Sequence, residues 1–163
     1  GAAIYSVARD GSALYGFVVD ARGLIMGDTA GTKIVDGTFT SMSATQIDGR
    51  MIVAARDGTK VFVHMVRDDL GATTLLDTLS GALVGDTLMM YSRDNYVTAL
   101  GGPSGIVTNT FSKNWSPIGS AVVDGGEPVS MTTARYGNDA VIAWSTHDSC
   151  HLARPGGGRL HWI

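Results

Sequence analysis

The sequence is poor in cysteine and in charge. Cys150 is the one cysteine in 163 residues, so an internal disulfide framework is excluded. Charged residues make up 17% of the chain, whereas about 25% is usual for a soluble domain. Glycine is abundant by contrast, with 22 residues. Few charges and many glycines favour short strands joined by tight turns over long solvated helices.

Basic runs and long apolar runs are also missing. Lysine and arginine are scattered and the formal net charge is -3, so we expect no nucleic-acid partner, because such proteins usually present a basic face. No stretch approaches the roughly 18 consecutive apolar residues of a membrane-spanning helix. The length suits one domain. We therefore expect residues 1–163 to form a single all-β repeat domain, with membership of a larger ring as the alternative.

Recognised catalytic and nucleotide-binding motifs are absent from the sequence as well. It contains no Gly-x-Ser-x-Gly elbow. It also lacks a Walker loop, a Gly-x-Gly-x-x-Gly fingerprint and an EF-hand calcium loop. Ser104 lies in the segment GPSG, which we interpret as a plain β-turn. We therefore predict no catalytic residue.

Short apolar segments bounded by turn residues recur along the chain. YSVARDGSALYGFVVD begins at Tyr5, and the similar IVAARDGTKVFVHMVRD begins 47 residues later at Ile52. Two less similar copies of the turn, SRDN and THDS, begin at Ser92 and Thr146. Runs of β-branched and aromatic residues that end in Asp-Gly or Asp-Asn are typical of β-hairpins.

The spacing of these hairpins predicts the fold class. Units of about 40–50 residues with about four short strands each are typical of propeller blades. We therefore expect an all-β, β-propeller-like array of about four short antiparallel repeats, with a β-trefoil or a β-sandwich as alternatives. In this interpretation the first unit begins at its second strand, and the final RLHWI pairs near the N-terminus to close a small ring. Two chains that share one larger ring, or a piece of a longer protein, are the other possibilities.

One segment shows helical spacing. Leu76, Leu79 and Leu83 follow the acidic pair Asp68 and Asp69, and acidic residues suit a helix N-terminus. Two glycines and three threonines within the segment oppose a helix. A helix here is therefore the minority alternative to a strand.

The last third of the chain resembles a known repeat. Residues 111–162 include NWSPIGSAVVDGGEPVSMTTARYGNDAVIAWSTHDSCHL, which is similar in layout to a blade of the tectonin-type β-propeller lectins. In those blades a Trp, a Leu-Gly pair, a Pro-led strand, a polar turn, an apolar strand and an Asp-Gly turn follow in order. Comparable places are filled by Trp115, Ile118-Gly119, Pro128, Gly137-Asn138 and Asp148. The segment VARDGSALYGF resembles the Arg-x-Asp-Gly-x-Leu-Tyr part of the same unit.

This resemblance covers about half of the chain, and the other repeats lack the Trp. It implies glycan binding in clefts between blades, without catalysis, which slightly favours an extracellular or cell-surface location. An aromatic ring suits stacking on a sugar, and Arg-Asp pairs that repeat at one structural position suit a ring of donors for a sugar or an anion. The candidate ligand-binding residues are Trp115, Tyr136, Arg56, Asp57, Arg93 and Asp94.

A histidine cluster near the C-terminus provides a candidate metal site. His147 and His151 fall on one face of an extended chain, and a hairpin through the glycines that follow Pro155 would bring His161 alongside His151. Neutral imidazoles suit zinc. A polar hairpin with surface histidines is the simpler interpretation, so we expect no cofactor, with zinc as the alternative.

The sequence as a whole favours a non-enzymatic binding module that recognises a glycan or a protein surface in clefts between repeats. A structural or assembly module is the first alternative, in which the chain completes a larger propeller or forms a homo-oligomer. A metal-dependent enzyme that uses His147, His151 and His161 is the second alternative.

Overall fold

The computed structural model describes residues 4–47, 50–67, 73–80, 87–92, 94–156 and 159–162. In these ranges every regular element is a β-strand, and none contains a helix with the length and apolarity needed to cross a membrane. The strands pair into four antiparallel, four-stranded sheets. The predicted all-β array of about four repeats is confirmed, and neither a trefoil nor a two-sheet sandwich is formed.

The sheets follow one another along the chain. The first contains β1 (Ile4–Arg9), β2 (Ala13–Val19), β3 (Ile25–Met26) and β4 (Thr32–Asp36). The second contains β5 (Ser41–Ile47), β6 (Arg50–Asp57), β7 (Lys60–Arg67) and β8 (Thr73–Ser80). The third contains β9 (Thr87–Ser92), β10 (Asn95–Gly102), β11 (Gly105–Phe111) and β12 (Pro117–Asp124). The fourth contains β13 (Ser130–Tyr136), β14 (Asp139–Ser145), β15 (Cys150–Gly156) and β16 (Arg159–Trp162).

Each strand of the last three sheets pairs with its neighbour in sequence, whereas in the first sheet β2 pairs with β1, β3 and β4. Three apolar clusters lie between consecutive sheets and form the core. The cluster between the first and second sheets contains Leu14 and Val53. The cluster between the second and third contains Ile52 and Tyr96, and the cluster between the third and fourth contains Ile106 and Trp144. The sheets are therefore stacked face to face in chain order. Among the described residues, no such cluster joins the first sheet to the fourth.

The inner strand β6 contributes to two clusters at once, because successive side chains of a strand point to opposite faces. Val53 and Ala55 pack in the cluster with the first sheet, whereas Ile52 and Ala54 pack in the cluster with the third. All of them are at most 1% exposed. Full burial of a valine or isoleucine side chain contributes about 1.5–3 kcal/mol. This double burial explains why the segment MIVAA shows no alternation with polar residues.

The Arg-Asp turns occupy two different places in the sheets. The turn after Arg9 joins β1 to β2, the first hairpin of its sheet, whereas Asp57 ends β6 and precedes the second hairpin of the second sheet. The interpretation that these pairs repeat at one structural position is therefore wrong. The repeat begins with the first strand of each sheet, at Ile4, Ser41, Thr87 and Ser130.

Side chains shape these turns from within. Oδ1 of Asp10 accepts hydrogen bonds from the backbone N–H groups of Ser12 and Ala13, both at 2.9 Å. The hydrogen bonds from Ser12 are the main reason why the pKa of Asp10 lies below its usual value. In the turn after β6, Nε of Arg56 donates to the carbonyl oxygen of Gly58 at 2.9 Å.

Three further expectations are corrected by the strand pairing. The first repeat begins at its own first strand, β1, and not at its second. The final strand, β16, pairs with β15 rather than with the N-terminal strand. The segment with helical leucine spacing forms β8, so a helix there is wrong for residues 73–80, while Asp68, Asp69 and Leu83 lie outside the described residues.

Candidate functional site: a cleft between the second and third sheets

A cleft of about 260 Å³ opens where the second sheet meets the third. Strands β6, β7 and β8 contribute one wall, and β10 with the loop between β11 and β12 contributes the other. The lining residues are Arg50, Ile52, Met65, Leu76, Tyr96, Lys113, Asn114 and Trp115. The floor is apolar and the polar side chains lie at the rim, where Arg50, Lys113 and Asn114 are exposed.

The loop that carries three of these residues is closed by its own serines. The backbone N–H of Trp115 donates to the carbonyl oxygen of Ser112 at 2.9 Å, and the N–H of Ser112 donates to the carbonyl oxygen of Ser116 at 2.9 Å. The N–H of Ser116 also donates to Oγ of Ser112 at 3.1 Å. Since both backbone groups of Ser112 are engaged, the loop has one tight conformation that fixes where Trp115 lies.

Trp115 adopts an uncommon backbone conformation. Its φ is 61°, in the left-handed region, which costs a bulky residue about 1–3 kcal/mol. Its ring stacks on Phe111, with centroids 4.3 Å apart and planes 7° from parallel, and it lies at a tilt against Tyr96 with centroids 5.6 Å apart. Aromatic pairs of this kind contribute about 0.5–1.5 kcal/mol each beyond their buried area, which offsets the backbone cost.

The Trp115 indole nitrogen is a further unusual feature. The residue as a whole is half-buried, yet its Nε1 is buried and has no hydrogen-bond partner. An indole N–H can only donate. A buried donor without an acceptor costs about 1–3 kcal/mol, which adds to the backbone cost of holding Trp115 in this loop.

The rim of the cleft is positively charged. Lys113 Nζ lies 3.2 Å from Oδ1 of Asp94, an ion pair whose side chains are 53% and 81% exposed and which is therefore weak. Asp94 also has a left-handed φ, of 66°.

A second cation, Arg50, lies at the rim on the other wall of the cleft. It is directly opposite Arg67 in the pairing of β6 with β7. Residues opposite each other in a sheet have side chains on the same side.

The predicted ligand-binding residues are only partly brought together. Trp115 lines the cleft, and Asp94 reaches its rim through Lys113. Asp57 and Arg50 are the two end residues of β6, so they lie roughly 20 Å apart at about 3.3 Å per residue. The other predicted residues are placed as follows: Arg56 beside Asp57, Tyr136 70% exposed on the fourth sheet, and Arg93 outside the described residues.

The predicted histidine cluster is also dispersed. His147 is exposed in the turn before β15, while His151 stacks on Trp144 with centroids 5.1 Å apart and has Nε2 2.7 Å from Oγ of Ser149. His161 pairs in register with Arg154 and so does not lie opposite His151 as expected.

The side chain of His161 lies outside the described part of the chain. Among the described residues no group of three or more His, Cys, Asp or Glu could hold a metal ion. A zinc site that includes all three histidines therefore stays a prediction.

Seven of the eight lining residues were missed from the sequence, and the polar or aromatic ones among them are Arg50, Tyr96, Lys113 and Asn114. The contiguous letters KNW, which place a cation and an amide directly before Trp115, were the one available signal. Nothing in the sequence near Arg50 indicates that it faces this loop, because that depends on how the two sheets stack.

Structural comparisons relate the whole array to known propellers. An exo-β-1,3-galactanase from Phanerochaete chrysosporium with galactose matches with a TM-score of 0.60 and 8% identity, over 93% of this chain and 42% of that chain. A variant of it with β-1,3-galactotriose matches with a TM-score of 0.57 and 8% identity, over 92% and 44%. The WD40 domain of Toxoplasma gondii coronin matches with a TM-score of 0.54 and 11% identity, over 97% and 44%.

The chain spans less than half the length of each of these structures. No family model and no curated protein matches the sequence. At such low identities the likeness shows the fold alone. The protein is an all-β, β-propeller-like array of four antiparallel sheets.

Proposed function

We propose that the protein is a non-enzymatic binding module that holds a glycan unit in the cleft between its second and third sheets. The observation that carries this proposal is the composition of the cleft. The rings of Trp115 and Tyr96 lie beside the exposed polar groups of Arg50, Lys113 and Asn114 around a volume of about 260 Å³.

This composition suits a sugar. A sugar ring has an apolar C–H face that packs on an aromatic side chain and hydroxyl groups that need hydrogen-bond partners. Pockets for drug-sized ligands are about 300–1,000 Å³, so a cleft of about 260 Å³ suits a smaller ligand such as a short glycan unit. The galactanase structures hold galactose and β-1,3-galactotriose, and the resemblance to tectonin-type lectins also implies glycan binding.

The lining does not favour glycoside hydrolysis. Glycosidases usually place two carboxyl groups on either side of the scissile bond. The described residues that line the cleft include neither Asp nor Glu, and the Asp94 carboxylate that reaches the rim is paired with Lys113. Binding without turnover is therefore the simpler role for this site.

The test is a glycan array followed by isothermal titration calorimetry with the strongest glycan. Because Trp115 provides the stacking face, Trp115→Ala is expected to weaken binding by about tenfold or more. Tyr136→Ala is the matched control, since this exposed aromatic residue lies on the fourth sheet away from the lining. The absence of glycan binding, or equal loss in both variants, would contradict the proposal.

A second candidate function, assembly with a second copy, is favoured by the outer faces of the array. Alternation along β2 places the half-buried Phe17 and Val19 on the face opposite Leu14. On the fourth sheet Leu152 is 41% exposed on the face opposite Trp144. If the first sheet of a second copy packed on this fourth sheet, the stack would continue through both chains. The two chains together would have eight sheets, the upper end of the roughly four to eight blades of propellers.

Sedimentation velocity tests this assembly. We expect a concentration-dependent dimer, and we expect Leu152→Glu to shift it to monomer because a carboxylate would be buried at the contact. Val122→Glu is the control, since Val122 is 63% exposed on β12 of the third sheet. A strict monomer at all concentrations, or equal dissociation in both variants, would contradict the assembly.

A further inference from the structure

The cleft is more selective than its aromatic floor alone suggests. Its lining includes two cations, Arg50 and Lys113, beside Tyr96, Asn114 and Trp115. Both cations are hydrogen-bond donors only. The whole chain has the opposite balance, with 12 Lys and Arg against 15 Asp and Glu, so this rim is a local reversal of the sign of the surface.

Arg50 contributes a cation from the second sheet. It is exposed and lines the cleft. The planar guanidinium group can bind a carboxylate or a sulfate through two parallel hydrogen bonds.

Lys113 adds a cation from the other wall of the cleft. Its partner Asp94 is 81% exposed and the pair is 3.2 Å apart, so the ion pair is weak in water. Such a pair keeps the ammonium group at the rim, yet the ammonium can exchange Asp94 for an anion of the ligand.

Trp115 supplies the ring against which the sugar packs, since it lines the same cleft as both cations. A neutral sugar hydroxyl accepts a hydrogen bond but must also place its own proton. A carboxylate or sulfate oxygen only accepts, which matches the two cations of the rim.

From this arrangement we infer that the cleft selects sugars that carry an anionic group, a carboxylate or a sulfate, over neutral sugars. The inference rests on the proposed function, because it assumes that the same cleft binds a glycan. The anionic group lies between Arg50 and Lys113, and the sugar ring lies against Trp115.

The experiment compares three probes by isothermal titration calorimetry with the full chain: a neutral methyl hexoside, the matching uronic acid and the matching sulfate ester. We expect at least one anionic probe to bind about tenfold or more tighter than the neutral one. The preference should shrink as salt rises above about 0.15 M, because exposed charges are screened. The uronic acid and the sulfate ester distinguish the two sources of the negative charge.

Variants separate the charge from the ring. Arg50→Gln and Lys113→Gln should each lower the affinity for the anionic probe about tenfold and weaken the neutral probe by a smaller factor, because Gln can still donate a hydrogen bond to a hydroxyl but carries no charge. Trp115→Phe keeps a ring and should retain the anionic preference, whereas Trp115→Ala should weaken all probes. Lys60→Gln is the control, since Lys60 is exposed at the start of β7, far along the strand from Arg67. Circular dichroism checks that each variant is folded.

The outcomes distinguish this inference from the proposed function. Equal affinity for neutral and anionic probes, with loss of both in Trp115→Ala, would overturn the charge selectivity while the glycan cleft stands. An anionic preference that Lys60→Gln removes as strongly as Arg50→Gln would also overturn it, because the effect would then come from net charge. Binding of none of the probes would overturn both.

Discussion

The indole ring of Trp115 covers the phenyl ring of Phe111 in a nearly parallel stack, 4.3 Å between centroids. Phe111 is the last residue of β11 and is 4% exposed in the core between the second and third sheets. The stack therefore ties the rim loop to that core. Lys113 and Asn114 lie between the two stacked residues in sequence, so their positions depend on it as well.

Phe111→Leu is expected to lower both stability and ligand affinity, although Phe111 is not among the residues that line the cleft. The loss of the stack and of ring volume should reduce the free energy of unfolding by about 1–2 kcal/mol, measured by urea denaturation. Phe39→Leu is a matched control, since Phe39 is also 4% exposed but packs between the first and second sheets. If Phe39→Leu lowers affinity equally, the stack does not position the loop.

His64 should make the protein less stable in mild acid. It is 6% exposed, neither ring nitrogen has a hydrogen-bond partner, and burial lowers its pKa below the ordinary value of 6.5. Below about pH 6.5 the unfolded chain binds a proton that the folded state excludes, so the free energy of unfolding falls as the pH drops.

His64→Leu should remove this contribution to the pH dependence and should be neutral or stabilising at neutral pH, because it also removes unpaired polar atoms. The measurement is the urea midpoint at about pH 7.5 and about pH 5.5. Thr74→Ala, at an exposed site on the paired strand β8, should retain the pH dependence of the parent. An unchanged pH dependence in His64→Leu would show that other groups cause it.

Gly105 should be far less replaceable than other glycines in turns. Its φ is 152° and a Cβ there would overlap the carbonyl oxygen of Val123 on the paired strand β12. Gly105→Ala is expected to cost about 2–3 kcal/mol or more. Gly137→Ala meets open space at a φ of 62° and should cost only about 1 kcal/mol. Thermal melts of both variants check this difference, and equal melting temperatures would contradict it.

Backbone amides of β6 should exchange with solvent much more slowly than those of β3. The central side chains of β6, from Met51 to Ala55, are buried against sheets on both sides, whereas Ile25 and Met26 of β3 are 42% and 55% exposed. Local opening requires least free energy where few apolar contacts are lost. Hydrogen–deuterium exchange with mass spectrometry would show the order, and faster exchange in β6 would contradict the stacking of the sheets.

The number of sheets could be predicted from the sequence, but the phase of the repeat could not. Asp10 and Asp57 both lie at tight turns after apolar strands, and turn chemistry is the same at either end of a strand. The first and the second hairpin of a sheet can therefore have similar sequences. YSVARDG belongs to β1, the first strand of its sheet, whereas the similar IVAARDG belongs to β6, the second strand of its sheet.

Some residues of the candidate site could be predicted from the sequence and others could not. Trp115 was predictable because a Trp in a short polar loop is exposed more readily than one in an apolar strand such as Trp144. Arg50 was not predictable, because its role depends on the packing of β6 against a loop more than sixty residues later. Arg56 was predicted to bind a ligand, but its guanidinium instead donates a hydrogen bond to the carbonyl oxygen of Gly58 within its own turn.

The strands β6 and β10 also restrict how this sequence can diverge. A strand with one solvent face can accept a polar replacement at every second position, but Val97 and Leu100 of β10 pack in two different clusters, as do Ile52 and Val53 of β6. Any exchange there must be apolar and matched in volume by a partner on a neighbouring sheet. Relatives of this protein should therefore vary most at the outer strands and the rim loop, and least in these two strands.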